Sequence, residues 1–278
     1  MSGIAALWRR YCRNRAAVGG LLVLAVVVAA AVAGPALYDV DPFDMLGRPS
    51  TPPSDRFPLG TDVSGRDILA GLLHGARVSL LIGIAASLVA TLVGLAVGAC
   101  AGYFGGWLDA VLMRATDFFL TIPSFVLAVL IVAIFQPTVP TITLAIAIVS
   151  WPSVARLARA EFVAQQHREY VEACRAMGMG SAEIMIRQIL PNALPPVVVI
   201  GSLTVATAIL TEAGLSFLGL GDPNIISWGY MIGVGRTVLR TAWWMSAIPG
   251  VTIMVTVLAI NLVGEGLNEA LNPRMRRR

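Results

Sequence analysis

Five long runs without a single charged side chain constrain this 278-residue sequence more than any other feature: Ala16 to Tyr38, Val78 to Leu108, Phe118 to Ala155, Gln188 to Thr211 and Thr241 to Gly264. About 20 apolar residues in a helix cross a hydrocarbon core about 30 Å thick, so each run is long enough to span a membrane. The third is too long for one helix, and it contains Gln136-Pro137-Thr138-Val139-Pro140. Two prolines that close break a helix and favour a tight turn between antiparallel neighbours. The expectation is an all-α membrane protein with six transmembrane helices. Charged residues make up 13% of the chain, about half the share in an ordinary soluble domain, and 57% of residues are hydrophobic.

Arginine placement orients the spans, because short cytoplasmic loops collect positive charge. With the N-terminus inside, 14 Arg lie on the inner side and six (Arg48, Arg56, Arg66, Arg77, Arg236, Arg240) on the outer side, where seven Asp accompany them. Both termini are therefore expected to be cytoplasmic. Ala31-Val32-Ala33 at the end of the first span imitates a signal-peptide cleavage site. That run is longer than a signal core, and anchoring by Arg9, Arg10, Arg13 and Arg15 explains the flanking charge.

All 20 basic residues are Arg. Without Lys the chain has no P-loop lysine, Schiff-base lysine or Ser-x-x-Lys nucleophile, so it is not expected to bind and split ATP by itself or to be an enzyme of those types. His74 and His167 stand alone, and Cys12, Cys100 and Cys174 lack metal or disulfide spacing. No metal site, catalytic residue or bound cofactor is expected.

Residues 39–77 begin as a proline-rich outer loop and then read as a surface amphipathic helix, with Ile68, Leu69, Leu72, Leu73 and Ala76 on one face and a cap suggested by Ser64 and Asp67. Asp62, Arg66 and Asp67 read as capping plus an ion pair. Within this segment Pro58-Leu59-Gly60-Thr61-Asp62, Gly65-Arg66-Asp67 and Gly75-Ala76-Arg77-Val78-Ser79-Leu80 resemble permease subunits of dipeptide and oligopeptide ABC importers.

The inner loop at about 156–192 carries the next likeness. Tyr170-Val171-Glu172-Ala173-Cys174, then Gly178, then Gln188-Ile189-Leu190-Pro191-Asn192 resemble the EAA loop of these permeases, with Cys174 in place of the second Ala and Gln188 in place of Ile. A permease driven by a separate ATPase must present a short rigid helix to a groove, and a break behind it to set its angle. The resemblance implies that Tyr170, Glu172, Ala173, Cys174, Arg175, Gly178, Leu190 and Pro191 form the ATPase-coupling site. Glu172 supplies a carboxylate for Arg or backbone donors, and Gly178 supplies the break.

Gly102-Tyr103-Phe104-Gly105-Gly106-Trp107-Leu108-Asp109, the segment from Glu212 to Gly221 and the segment from Gly264 to Arg274 extend the similarity over about residues 15–275. The family's fold is then expected, the type I (MetI-like) permease fold, in a multi-pass protein of the bacterial inner membrane. The organisation would be a cytoplasmic N-terminus at 1–15, a first span at 16–38, the outer segment at 39–77, a five-helix core at 78–271 and a basic tail at 272–278. The resemblance implies a second permease subunit completing a heterodimeric pore, one or two cytoplasmic ATPase subunits holding ATP and Mg, an outer solute-binding protein, and lipid, with no nucleic acid. The cargo would be short peptides; nickel or another small solute is the alternative, since those relatives share the motifs. An ion-coupled secondary transporter would need midplane ion ligands, and no such cluster is visible.

Glu212 is the acid deepest in an apolar run, about 27 Å along a helix from Leu194 and so near the outer interface, within reach of water, Arg236 or Arg240. A gate or structural role is expected for it. Asp109, Arg114 and Asp117 read as an interfacial ion-pair group at the start of span three. Small residues of span two, including Gly83, Ala86, Gly94 and Gly98, suit close helix contacts.

Overall fold

The computed structural model describes residues 3–271; the basic tail expected at 272–278 lies outside the described residues, as do Met1 and Ser2. The described chain is helical, with β pairing limited to two isolated bridges in the outer loop, Met45 with Arg66 and Thr61 with Asp67. In order the helices are α1 (Gly3–Tyr11), α2 (Arg15–Leu37), α3 (Ile68–Phe104), α4 (Gly106–Thr121), α5 (Ser124–Phe135), α6 (Val139–Gln166), α7 (Glu169–Ala176) and α8 (Ser181–Glu183). A π-helical turn (Ile184–Ile189) joins α8 to α9 (Leu190–Phe217), followed by α10 (Trp228–Gly235) and α11 (Trp244–Leu271). Five segments are long and apolar enough to cross a membrane, and the pair α4 and α5, bent by 84°, counts as a sixth when taken as one broken span.

The turn foreseen at Gln136 to Pro140 is present, with Gln136 in the left-handed region at φ 71° and Thr138 capping α6. Three other expectations are corrected. Span three does not start at Phe118 as one helix. It begins at Gly106 and breaks between Thr121 and Ser124, where Pro123 lacks the N–H a continuing helix needs. The outer amphipathic helix is not separate from span two: α3 runs unbroken over 37 residues, about 55 Å. Its cap is Asp67, whose carboxylate accepts from the Leu69 N–H at 2.8 Å, and not Ser64. Nor does Arg66 form an ion pair among the described residues. Its backbone N–H donates to Asp62 Oδ1 at 2.9 Å, and its guanidinium donates to the Tyr230 hydroxyl at 3.2 Å and lies 5.0 Å from the Phe43 ring centre.

The packing explains the glycines of span two. A Cβ on Gly94 would sit 2.6 Å from Val154 Cβ and 2.7 Å from the Trp151 carbonyl, and one on Gly102 would sit 2.7 Å from the Arg159 carbonyl. With Gly98 between them these positions form one seam on which α6 lies directly against α3, while Gly83 lets Ile209 of α9 approach the other side. The first span attaches differently. Pro35 has no N–H for the carbonyl of Ala31, and Arg77 of α3 donates to that oxygen at 2.5 Å and to the Val32 carbonyl at 2.7 Å. The turns of the bundle segregate to two ends. The 38–67 loop, the 136–138 turn and the 218–243 segment lie at one end, joined for instance by the Val139 N–H donating to Asp222. The other end holds the α6–α7 loop and the chain entry, where the Asn14 amide donates to Glu269 at 2.9 Å.

Candidate functional site

Helix α7 has two faces. Val171 and Cys174, three residues apart, point inward and are buried with Phe162 of α6, Ile184 and Ile189 of the π turn, Ala193 of α9 and Ala99 of α3. Tyr170, Glu172, Ala173 and Arg175 are exposed. The Cys174 that departs from the Ala of the EAA pattern therefore faces the core, where a small apolar thiol packs well. Arg175 lies over the Tyr103 ring at 5.7 Å, tying the exposed side of α7 to the end of α3.

The helix stops for a defined reason. Gly178 takes φ 80°, its N–H donates to the Arg175 carbonyl, and the Met179 N–H donates back to the Cys174 carbonyl at 3.1 Å. This is a Schellman closure, completed by Met179 packing on the cluster around Cys174. A Cβ at Gly178 would meet nothing within 4 Å, so the backbone angle and not space requires glycine.

Behind α7 the chain enters α9 through the π turn. Pro191 cannot donate to the Arg187 carbonyl four residues back, and one wider turn accommodates its ring. The Asn192 side-chain amide donates to the Gln188 carbonyl at 2.8 Å and to the Tyr170 hydroxyl, which itself donates to Gln165 at 3.1 Å. Leu190 packs at the edge of the buried cluster and Pro191 is exposed. Of the residues expected at the coupling site, Tyr170, Glu172, Ala173, Arg175, Gly178 and Pro191 are exposed, Leu190 is half-buried, and Cys174 is buried beneath them.

The acidic group of span three is arranged otherwise than expected. Asp109 binds Arg159 of α6 through two hydrogen bonds, 2.5 and 2.6 Å, and Asp117 binds Arg156 at 2.6 Å, while Arg114 is exposed and takes no part in either pair. The partners lie 39 and 50 residues away, across the α4–α6 contact. Both pairs sit at the α7 end of the bundle.

Glu212 is also corrected: it is 1% exposed and has neither Arg236 nor Arg240 as partner. Its Oε1 accepts hydrogen bonds from Ser216 at 2.8 Å and from Ser227 at 2.6 Å, while Oε2 has no partner among the described residues. Arg236 instead donates to the Phe217 carbonyl. Ser227 caps α10 by accepting from the Tyr230 N–H, and the next residue, Trp228, donates to Ser79 and to the Leu72 carbonyl of α3. Gly229 lets α10 approach, since a Cβ there would lie 2.7 Å from Ala213 Cα. Glu212 is thus the centre of a polar node joining α3, α9 and α10. The interior acid was visible in the sequence; its serine partners were not, because one of them arrives from the far side of a ten-residue connection.

At the outer surface Tyr38 donates to Asp67 at 2.5 Å. That hydrogen bond, with burial and the neighbouring negative charge, pushes the phenol up to about 12.

Five helical segments of membrane-spanning length, a bent pair that can supply a sixth, and a short capped helix at one end of the bundle are the architecture of a multi-pass membrane protein. Residues 90–277 match the family described as binding-protein-dependent transport system inner membrane component, and residues 4–53 match the N-terminal transmembrane domain of oligopeptide transport permease C. The chain is 40% identical to the di/tripeptide transport system permease protein DppC of Pseudomonas aeruginosa, over 97% of this chain and 91% of that one. It is 39% identical to the dipeptide transport system permease protein DppC of Escherichia coli, over 99% and 95%. The inward-facing MetNI methionine ABC transporter shares the fold, with a TM-score of 0.60 at 20% identity over 73% of this chain and 96% of that one. The chain belongs to the family of inner membrane components of binding-protein-dependent transport systems, the permease subunits of ABC importers.

Proposed function

We propose that this permease imports short peptides, with a second permease subunit completing its pore. Separate cytoplasmic subunits hydrolyse ATP with Mg, and an outer solute-binding protein delivers the cargo. The peptide assignment rests on permeases of dipeptides and di/tripeptides that are 36–40% identical over nearly the whole chain. The Arg-rich end that carries α7 faces the cytoplasm and the 39–77 segment faces outward, in keeping with the positive-inside bias.

The observation that carries the coupling role is the seating of α7. Its exposed face offers Glu172 and Ala173 to a partner groove, and its buried face stands on residues from α3, α6 and α9 together. A push on α7 is therefore delivered to three membrane helices at once. Closure of the ATPases favours an outward-facing bundle, and ATP hydrolysis returns it, each through differential contacts on α7. At the other end the Glu212 node holds α10 against α9 and α3, a structural part of the outer gate. Asp109 and Asp117, through Arg159 and Arg156, fix α4 to the helix that leads into α7.

The test is Glu172→Arg. The variant should insert normally and still yield a stable permease, while peptide uptake falls to background. Unaltered uptake would refute the coupling role of this face.

A further inference from the structure

The first nine described residues form a feature that transport does not use. Helix α1 is held against α11 by Tyr11, which is buried, donates to the Ala17 carbonyl at 3.0 Å, and packs so closely that a Cβ on Gly266 would lie 2.9 Å from its ring. Leu7 and Trp8 stand off from α11. Between them and Leu21, Val263 and Leu267 remains an apolar cleft of about 320 Å³, open on one side. Trp8 is 58% exposed although it stacks on Tyr11, with ring centres 5.8 Å apart and planes within 8°.

The chain beside this cleft is cationic, although no arginine lines it. Arg9, Arg10, Arg13 and Arg15 are all exposed, and none of them forms an ion pair among the described residues. The adjoining turns of α11 carry two carboxylates, Glu265 and Glu269, of which Glu269 accepts from Asn14. Four exposed arginines thus flank Trp8 and Tyr11 in sequence and lead into α2, next to the apolar slot. Indole and phenol rings favour the headgroup level, where one edge is wet and the body apolar. Guanidinium grips phosphate through paired hydrogen bonds, and basic clusters next to a spanning helix attract anionic lipid.

We propose that this cleft seats an acyl chain of an anionic phospholipid from the adjoining leaflet, its headgroup phosphate held among Arg9, Arg10, Arg13 and Arg15. An apolar slot alone would accept any lipid tail; the arginines of the adjoining chain select the headgroup. The site fixes α1 at the membrane surface and leaves α7 free for its own partner. It stands whatever the cargo of the permease.

The test uses the full chain reconstituted in phosphatidylcholine bilayers, with the Trp8 signal taken as the difference in emission between the wild type and Trp8→Phe. Lipids brominated on the acyl chain quench a nearby indole. Brominated phosphatidylglycerol should quench Trp8 at a mole fraction on the order of tenfold lower than brominated phosphatidylcholine with the same chains. Replacing Arg9, Arg10, Arg13 and Arg15 by Gln should bring the two lipids to parity while the emission of the other tryptophans stays unchanged. Millimolar inorganic phosphate should not displace the quencher. Parity of the two lipids in the wild type would overturn the proposal. So would a Trp8 that neither lipid reaches, the result expected if another protein subunit covers the cleft, and so would competition by free phosphate.

Discussion

Replacing Gly94 by Ala tests whether the α3–α6 seam holds the bundle together. The added Cβ would lie 2.6 Å from Val154 Cβ, 2.7 Å from the Trp151 carbonyl and 3.0 Å from the Ala155 nitrogen, two of them backbone atoms that cannot swing aside. Carbon atoms rest at about 3.5–4.0 Å, so α3 and α6 must separate locally by about 1 Å. In a bilayer no hydrophobic force pulls helices together, and a gap of that size forfeits a quarter to a half of each affected dispersion contact. Overpacking of this kind costs about 1–3 kcal/mol. On the scaling for folded domains that corresponds to a fall in unfolding temperature of roughly 2–10 °C.

The assay is thermal unfolding of the detergent-purified chain followed by tryptophan emission, with Trp151 on the seam, packed edge-on against Phe119, as an internal reporter. Gly250→Ala is the control. A Cβ there meets nothing within 4 Å, and within α11 alanine gains about 1 kcal/mol of helix propensity, so this variant should melt at or above the wild-type temperature. Gly94→Ala with Gly98→Ala should cost less than the sum of the single changes, because one separation relieves both clashes. A Gly94→Ala chain that melts with Gly250→Ala would refute the reasoning.

Three further outcomes follow from the geometry. Glu212→Ala removes the acceptor of two buried serine hydroxyls and should destabilise the chain by about 2–5 kcal/mol; a double-mutant cycle with Ser227→Ala should show coupling, and strict additivity would dissolve the node. Tyr38 should stay un-ionised until about pH 12 while an unfolded tyrosine ionises near 10, so its contribution to stability is complete below pH 10 and is lost between about 10 and 12. An ultraviolet titration comparing the wild type with Tyr38→Phe reads this directly, and one tyrosinate fewer at ordinary pH in the variant would contradict it. Cysteine placed at Ser54 should be labelled from outside intact cells and cysteine at Ser181 should not; both side chains are exposed, so labelling at Ser181 would reverse the topology.

The spans were legible because exclusion of charge from hydrocarbon leaves long blank runs, and the turn at Gln136 was legible because two prolines fell together. Single prolines were not decisive. Pro35, Pro152 and Pro249 all lie inside continuous helices, whereas Pro123 ends one. At Pro35 the freed carbonyl of Ala31 finds a donor in Arg77, 46 residues away. The end of α7 was legible in Gly178, since a Schellman closure is written within a few residues. Asp109 and Glu212 were visible as charges in unusual places, but their partners were not, because Arg159 and Ser227 reach them only after helices have packed. Arg66 failed for a related reason: adjacent acids suggest an ion pair, yet the loop backbone and the Tyr230 hydroxyl take up the groups involved.

The break at Ile122 and Pro123 has a consequence for the company this chain keeps. Helix α5 has only 12 residues, about 18 Å, so its inner end stops short of crossing a core about 30 Å thick. Its first residues, together with Pro123, are exposed on the surface of the bundle. Hydrocarbon does not tolerate bare, unpaired peptide groups; they persist at membrane depth only against protein or beside water. The sharp bend between α4 and α5 therefore marks a face that lipid cannot wet, one that must border protein or water.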